Sequence, residues 1–221
     1  MKNIVALDCN SFALNAIEYI ANDSESITCK LATKDRSVFI WTVTTHTDID
    51  VALVHVHPKD YSVLGLIQML LTKTNPPRVI IMLNYAHPPT LKLILSMGIR
   101  FILLRRDPIS RIRDTLQQLE CDYYISPELD KIMANMKPPH YRAVIWKTFS
   151  GVQNLTPAET SIFIDLLNGM TQSLAAKKRF VSIKTISVHK INAIKKIGVN
   201  NINEFFLQKT RKKPPRPTTW G

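Results

Sequence analysis

Four short, nearly continuous apolar runs, each followed by a helical pattern, leave the N-terminal half of this chain very few architectures. The runs are residues 4–7, 51–56, 79–83 and 101–104. A strand that is apolar at consecutive positions has no wet face, so something must cover it on both sides. After the first run, Ser11 is the expected cap of a helix on which Leu14, Ile17 and Ala21 fall at helical spacing. After the others come helical patterns over 61–71, 90–97 and 108–119, the last opening on Pro108, whose missing amide hydrogen suits a first turn. Such alternation predicts an α/β domain, a parallel sheet with helices on both faces, over residues 1–122.

Residues that bind or switch in such a sheet sit at the carboxyl ends of its strands. Here those ends carry Asp8, His55, Asn84 and Arg105. In this outline the chain resembles a response-regulator receiver domain. The resemblance implies an acidic pair after the first strand that binds magnesium, an aspartate that accepts phosphate, a Thr or Ser, and a Lys. Against that pattern Asp8 keeps one acid but is followed by Cys9, His55 replaces the phosphoacceptor, Asn84 the hydroxyl residue and Arg105 the lysine. One carboxylate makes a poor magnesium cage, and an imidazole cannot form an acyl phosphate, so the expected site is degenerate, with no cofactor and no metal. His55 and His57 share a strand face, but no third ligand at suitable spacing accompanies them, so ordinary hydrogen-bonded histidines are expected. Residues 37–45, where a receiver has its second helix, are rich in β-branched and aromatic side chains and argue for a strand.

Charge separates the two halves. Residues 1–122 hold thirteen Lys and Arg against twelve Asp and Glu, whereas residues 123–221 hold sixteen against five, nearly all of the net +12. A near-neutral half joined to a basic one suggests that one docks and the other meets a polyanion. No apolar run reaches the roughly 20 residues of a membrane helix, and Asp8 arrives too early for a signal peptide. Cys9, Cys29 and Cys121 show no close pairing and read as small apolar fillers in a reducing cytoplasm.

Residues 123–154 read as a helical linker and hinge. Ser126, Pro127 and Glu128 form a helix start, with Leu129, Ile132, Met133 and Met136 as its apolar face. Lys137-Pro138-Pro139-His140 breaks that helix, and Val144-Ile145-Trp146 suggests that part of the hinge is packed.

Beyond it, Thr156 and Glu159 form a capping box around Pro157, opening a helix that stops at Gly169. A second helix follows over 171–179, and Ser182 starts a third that ends at Gly198. Three short helices with a basic last one are a helix-turn-helix layout. The block resembles the DNA-binding domain of LuxR/NarL-type regulators at Leu155, Thr156, Pro157, Glu159, Leu167, Gly169, Ala176, Ser182, Thr185, Ile186, His189, Lys196, Ile197, Gly198 and Val199. Ser182 to Ser187, with Lys190 and Ala193, is most similar to the RcsB branch, whose RcsA- and BglJ-type members also have atypical receivers.

On the third helix Ile186, Ala193 and Ile197 should be core. Lys184, Ser187, Val188, Ile191 and Lys195 share the opposite face, where Lys184 and Ser187 can address base edges and Val188 and Ile191 thymine methyls. Thr185, His189, Lys190 and Lys196 read as phosphate contacts. Arg179 stands where the family has a core leucine, with Phe180 beside it as the replacement, Leu174 replaces a surface glutamate, and Ile191 stands where relatives carry a polar reader. The domain spans 155–208. Asn203, Phe205, Phe206 and Leu207 begin a fourth helix, which in the family pairs two such domains, and 209–221 is a basic tail expected to be disordered.

The expected function is transcriptional regulation through double-stranded DNA, as a homodimer or preferentially a heterodimer with an RcsB-like regulator, independent of phosphorylation. The competing reading is a module that sequesters a partner regulator without touching DNA. No small-molecule ligand is evident, and the sequence shows no Gly-rich phosphate loop, no metal-ligand cluster and no nucleophile–base pair that would argue for an enzyme.

Overall fold

The computed structural model describes residues 1–57, 60–117, 121–135 and 154–207. The N-terminal part runs β1 (Lys2–Leu7), α1 (Ser11–Asn22), β2 (Ile27–Thr33), α2 (Arg36–Thr45), β3 (Val51–Val56), α3 (Ser62–Leu71), β4 (Arg78–Leu83), α4 (Pro88–Ser96), β5 (Phe101–Leu104), α5 (Ile109–Gln117), β6 (Tyr124–Ile125) and α6 (Pro127–Asn135). The strands form one parallel sheet in the order β2-β1-β3-β4-β5-β6. The order reverses between β1 and β3, and this is where such sheets open a crevice at their carboxyl ends. All six residues of β3 are buried, as its apolar run requires.

Four expectations need correction. Residues 37–45 are helical, because Asp35 caps α2 through the amides of Ser37 (2.7 Å) and Val38 (3.2 Å). Its buried residues Phe39, Thr42 and Val43 follow helical spacing, and the hydroxyls of Thr42, Thr44 and Thr45 bond back to carbonyls one turn earlier. Local hydrogen bonds and burial here override β propensity. The cap of α1 is Asn10, one residue before Ser11, its side chain accepting from the Phe12 amide. The cysteines are not core fillers as a group: Cys9 and Cys121 are exposed, and only Cys29 is partly buried. The sheet also runs past residue 122, since β6 pairs with β5 and Leu129 of α6 is wholly buried.

The C-terminal part comprises α7 (Pro157–Leu167), α8 (Gln172–Arg179), α9 (Ile183–Ile197) and a 3-10 turn (Ile202–Phe205). Both arms of the Thr156–Glu159 capping box are present. Ser182 caps α9, and Gly198 ends it at φ 72°, a left-handed position that suits glycine.

The core is not divided between the two parts. Under α1 and α5 a cluster including Ile4, Leu14, Ile17, Met82 and Leu116 closes one sheet face. The cluster on the other face, from Phe39 through Leu64, Ile67 and Leu91, continues into Phe163, Leu167, Ala193, Ile197 and Phe205. Polar bonds fix this junction: Gln68 Nε2 to the Pro157 carbonyl (2.7 Å), Lys92 Nζ to the Gly198 carbonyl (2.6 Å) and the Leu155 amide to the Ser96 carbonyl (2.8 Å). Tyr61 is 1% exposed, its ring meets Phe205 edge-on at 5.8 Å, and its hydroxyl donates to the Phe205 carbonyl at 3.1 Å.

Candidate nucleic-acid interface and switch site

α9 is amphipathic in a way that assigns its two faces. Ile186, Ala193 and Ile197 are 0%, 0% and 4% exposed, anchoring one side in the core. Lys184, Val188, Ile191 and Lys195 face solvent, and Ser187, Thr185, His189 and Lys190 flank them half-exposed. Ile183 and Asn192 are exposed on the same helix. They went unnoticed in the sequence because neither carries charge, and an isoleucine at helical spacing reads as core.

Lys196 does not belong with the outward set. Its ammonium lies 2.7 Å from Glu159 Oε2, the carboxylate that also closes the capping box by accepting from the Thr156 amide at 2.8 Å. Burial by itself would raise the Glu159 carboxyl, but the Lys196 and Thr156 hydrogen bonds outweigh it and hold the group below its ordinary range. Lys196 thus ties α9 to the start of α7, an intramolecular role beside the phosphate contact expected from the sequence.

Arg179 solves its misplaced charge by pairing. The guanidinium binds Asp165 and donates to Ser161 Oγ at 2.7 Å, while Lys178 reaches the same carboxylate at 3.1 Å. Phe180 does not compensate for the lost leucine. It is 97% exposed and sits at φ 55°, capping α8 in the left-handed region where a side chain carries a penalty. With Leu174, Val181 and Ile183 it leaves an apolar rim at the turn before α9.

Among the expected dimerisation residues, Phe205 is buried at 1% exposure between Tyr61 and Phe163, so it is a core residue here. Phe206 and Leu207 are 51% and 65% exposed, and Asn203 is exposed. Gln208 and the tail 209–221 lie outside the described residues, as do the expected breaker at 137–140, Val144-Ile145-Trp146 and the side chains of Met133 and Met136.

At the opposite end of the molecule's logic, Asp8, His55, Asn84 and Arg105 do converge. Arg105 pairs with Asp8 Oδ1, which also accepts from the Asn10 amide at 2.8 Å. His55 Nε2 lies 3.1 Å from Asn84 Oδ1, and its Nδ1 3.9 Å from Asp8 Oδ1. Burial, the largest influence, pulls the imidazole pKa down; Asp8 opposes this and Arg105 reinforces it. The residues do not fit magnesium, because the lone carboxylate is already held by a guanidinium and its neighbours offer sulfur and nitrogen. Cys9 Sγ, overlooked as a site residue, lies 3.9 Å from His55 Nδ1.

Residues 153–207 match the family described as bacterial regulatory proteins, luxR family. This is a luxR-family domain. The LuxR domain and the sheet together are similar to solved structures of RcsB. The RcsB response regulator of Salmonella typhimurium shares 22% identity over 93% of this chain and 98% of its own, with a TM-score of 0.53. A structure of the RcsB–DNA complex shares 21% identity over 95% of this chain and 99% of its own, with a TM-score of 0.54. A structure of two RcsB dimers bound to two parallel DNAs shares 19% over 92% and 95%, also with a TM-score of 0.54. At these identities the likeness establishes the fold. No curated protein sequence matches the chain significantly. Among the described residues no helix is long and apolar enough to cross a membrane.

Proposed function

We propose that this chain is a DNA-binding transcriptional regulator that works in the cytoplasm as half of a dimer, preferentially with a related RcsB-like subunit, and that phosphorylation does not switch it. The observation that carries the reading is α9: one face is locked into a LuxR-type core while Lys184, Val188, Ile191 and Lys195 project outward beside Ser187. That face can sit in a major groove with Lys184 and Ser187 at base edges, and Thr185, His189 and Lys190 toward phosphates. The apolar centre formed by Val188 and Ile191, 49% and 45% exposed, discriminates bases weakly, which favours a subunit that borrows specificity from its partner. Phe206 and Leu207 remain outward-facing for subunit pairing. The Asp8–Arg105 pair and the histidine at the phosphoacceptor position support independence from phosphorylation.

The test is promoter binding by the full chain, alone and with an RcsB-like regulator, across a salt series. About six neutralised phosphates give a slope of log affinity against log salt of roughly −5. Lys184→Ala with Ser187→Ala should abolish the chain's contribution to occupancy. If the double variant still alters partner-dependent transcription unchanged, the chain acts by sequestration and the proposal fails.

A further inference from the structure

The carboxyl ends of β1 and β3 bring three unlike donors to one point. A carboxylate oxygen of Asp8, Sγ of Cys9 and a ring nitrogen of His55 all lie within 4.8 Å of one another. Both Cys9 Sγ and Asp8 Oδ1 are 3.9 Å from His55 Nδ1. A tetrahedral ion with bonds of about 2.0 Å to nitrogen or oxygen and about 2.3 Å to sulfur separates such donors by roughly 3.3–3.6 Å, so the two separations to His55 need to close by about half an ångström and that between Asp8 and Cys9, which lie within 4.8 Å, by roughly 1 Å at most. The far side of the imidazole is already fixed: Nε2 donates to Asn84 Oδ1 at 3.1 Å, which turns the Nδ1 lone pair toward Cys9 and Asp8. Metal-binding histidines are oriented in this way through their second nitrogen. The side chains of His55 and Asp8 are 4% and 3% exposed, whereas Cys9 is exposed. Two buried ligands therefore stand behind a solvent-facing thiol, at the wall of a cavity of about 150 Å³ with room for a water as fourth ligand.

We infer that Asp8, Cys9 and His55 form a three-ligand site for a borderline-soft divalent ion of the zinc class. The donor set selects against hard cations: thiolate and imidazole suit zinc, cobalt or nickel, whereas magnesium and calcium require oxygen. On binding, the Cys9 thiol releases its proton to solvent and the sulfur coordinates as thiolate. Arg105 competes with the ion for Asp8 and so limits affinity. The site is independent of whether the chain binds DNA.

The experiment is titration of chelator-treated, reduced full-length protein with Co²⁺. One equivalent should produce a thiolate-to-cobalt charge-transfer band in the near ultraviolet with tetrahedral bands in the visible, bleached by Zn²⁺ and unaffected by excess Mg²⁺. Cys9→Ser, at an exposed position that leaves the fold intact, should abolish the charge-transfer band, and Cys29→Ser with Cys121→Ser should retain it. Asn84→Ala should weaken binding about ten- to a hundredfold, while Arg105→Gln should tighten it. A charge-transfer band that survives Cys9→Ser overturns the assignment. So does cobalt affinity no greater in the native chain than in the Cys9→Ser, His55→Gln double variant.

Discussion

Phe205→Ala removes a side chain that the sheet domain and the LuxR domain share across more than a hundred residues of sequence. The ring is 1% exposed, meeting Phe163 at 5.5 Å on its own side and Tyr61 at 5.8 Å on the other. Truncating a core phenylalanine costs about 3–5 kcal/mol, and the two aromatic contacts are of similar geometry. Dividing the loss evenly assigns about 2 kcal/mol to docking of the domains. An opening equilibrium shifted by that amount accelerates amide exchange roughly thirtyfold in the segments it uncovers. Hydrogen-exchange mass spectrometry should therefore show faster exchange in α3 and α4, which contain no mutated residue, as well as in α7. Tyr61→Phe keeps the ring but loses the hydroxyl bonded to the Phe205 carbonyl, about 1 kcal/mol and roughly fivefold in exchange. Unchanged protection in α3 and α4 alongside a weakened LuxR domain would refute the shared-core argument.

Replacing Phe180 with glycine should raise stability by about 0.5–1 kcal/mol, because the side chain is 97% exposed and its φ of 55° penalises a Cβ. A thermal melt should move upward by about 1–4 °C, and a decrease would show that Phe180 makes a contact in solution. Arg179→Leu combined with Asp165→Asn should be neutral or stabilising by at most about 1 kcal/mol, the low end for a pair that is 20% and 17% exposed, since Nη1 of the partly buried guanidinium has no partner among the described residues; a large loss in urea unfolding contradicts the leucine-like character of the position. The folded-state pKa of Glu159 lies below the ordinary 4.5, so the stability it contributes is present above that value and lost as pH falls through the folded pKa. The melting difference between the native chain and Glu159→Gln should therefore be constant above about pH 5 and shrink in acid; a gap that widens in acid has the wrong sign.

Much of this molecule can be read without coordinates because its strongest signals are local. The buried runs of β1, β3, β4 and β5, the Thr156–Glu159 box and the Gly198 stop each rest on a few adjacent residues. β2 escaped notice because it is an edge strand in which only Ile27 is buried. α2 reads as a strand in the sequence because β propensity masks the Asp35 cap and the Phe39, Thr42, Val43 spacing. The strand ends likewise announced Asp8, His55, Asn84 and Arg105, but not Cys9, whose role depends on two strands adjacent in the sheet and far apart in sequence. Lys196 and Phe205 mislead for a similar reason. Their partners, Glu159 and Tyr61, come from other elements, and the same lysine or phenylalanine on a lone helix would have faced outward.

The junction around Tyr61 also imposes an order on biosynthesis. The apolar side of α3 and α4 is complete once residue 96 has been made, yet among the described residues a large part of its covering arrives with α7, α9 and the turn at Ile202–Phe205. At roughly 5–20 residues per second that surface stays bare on the ribosome for on the order of ten seconds. Premature termination before Phe205 should therefore leave that surface uncovered and lower the solubility of the fragment.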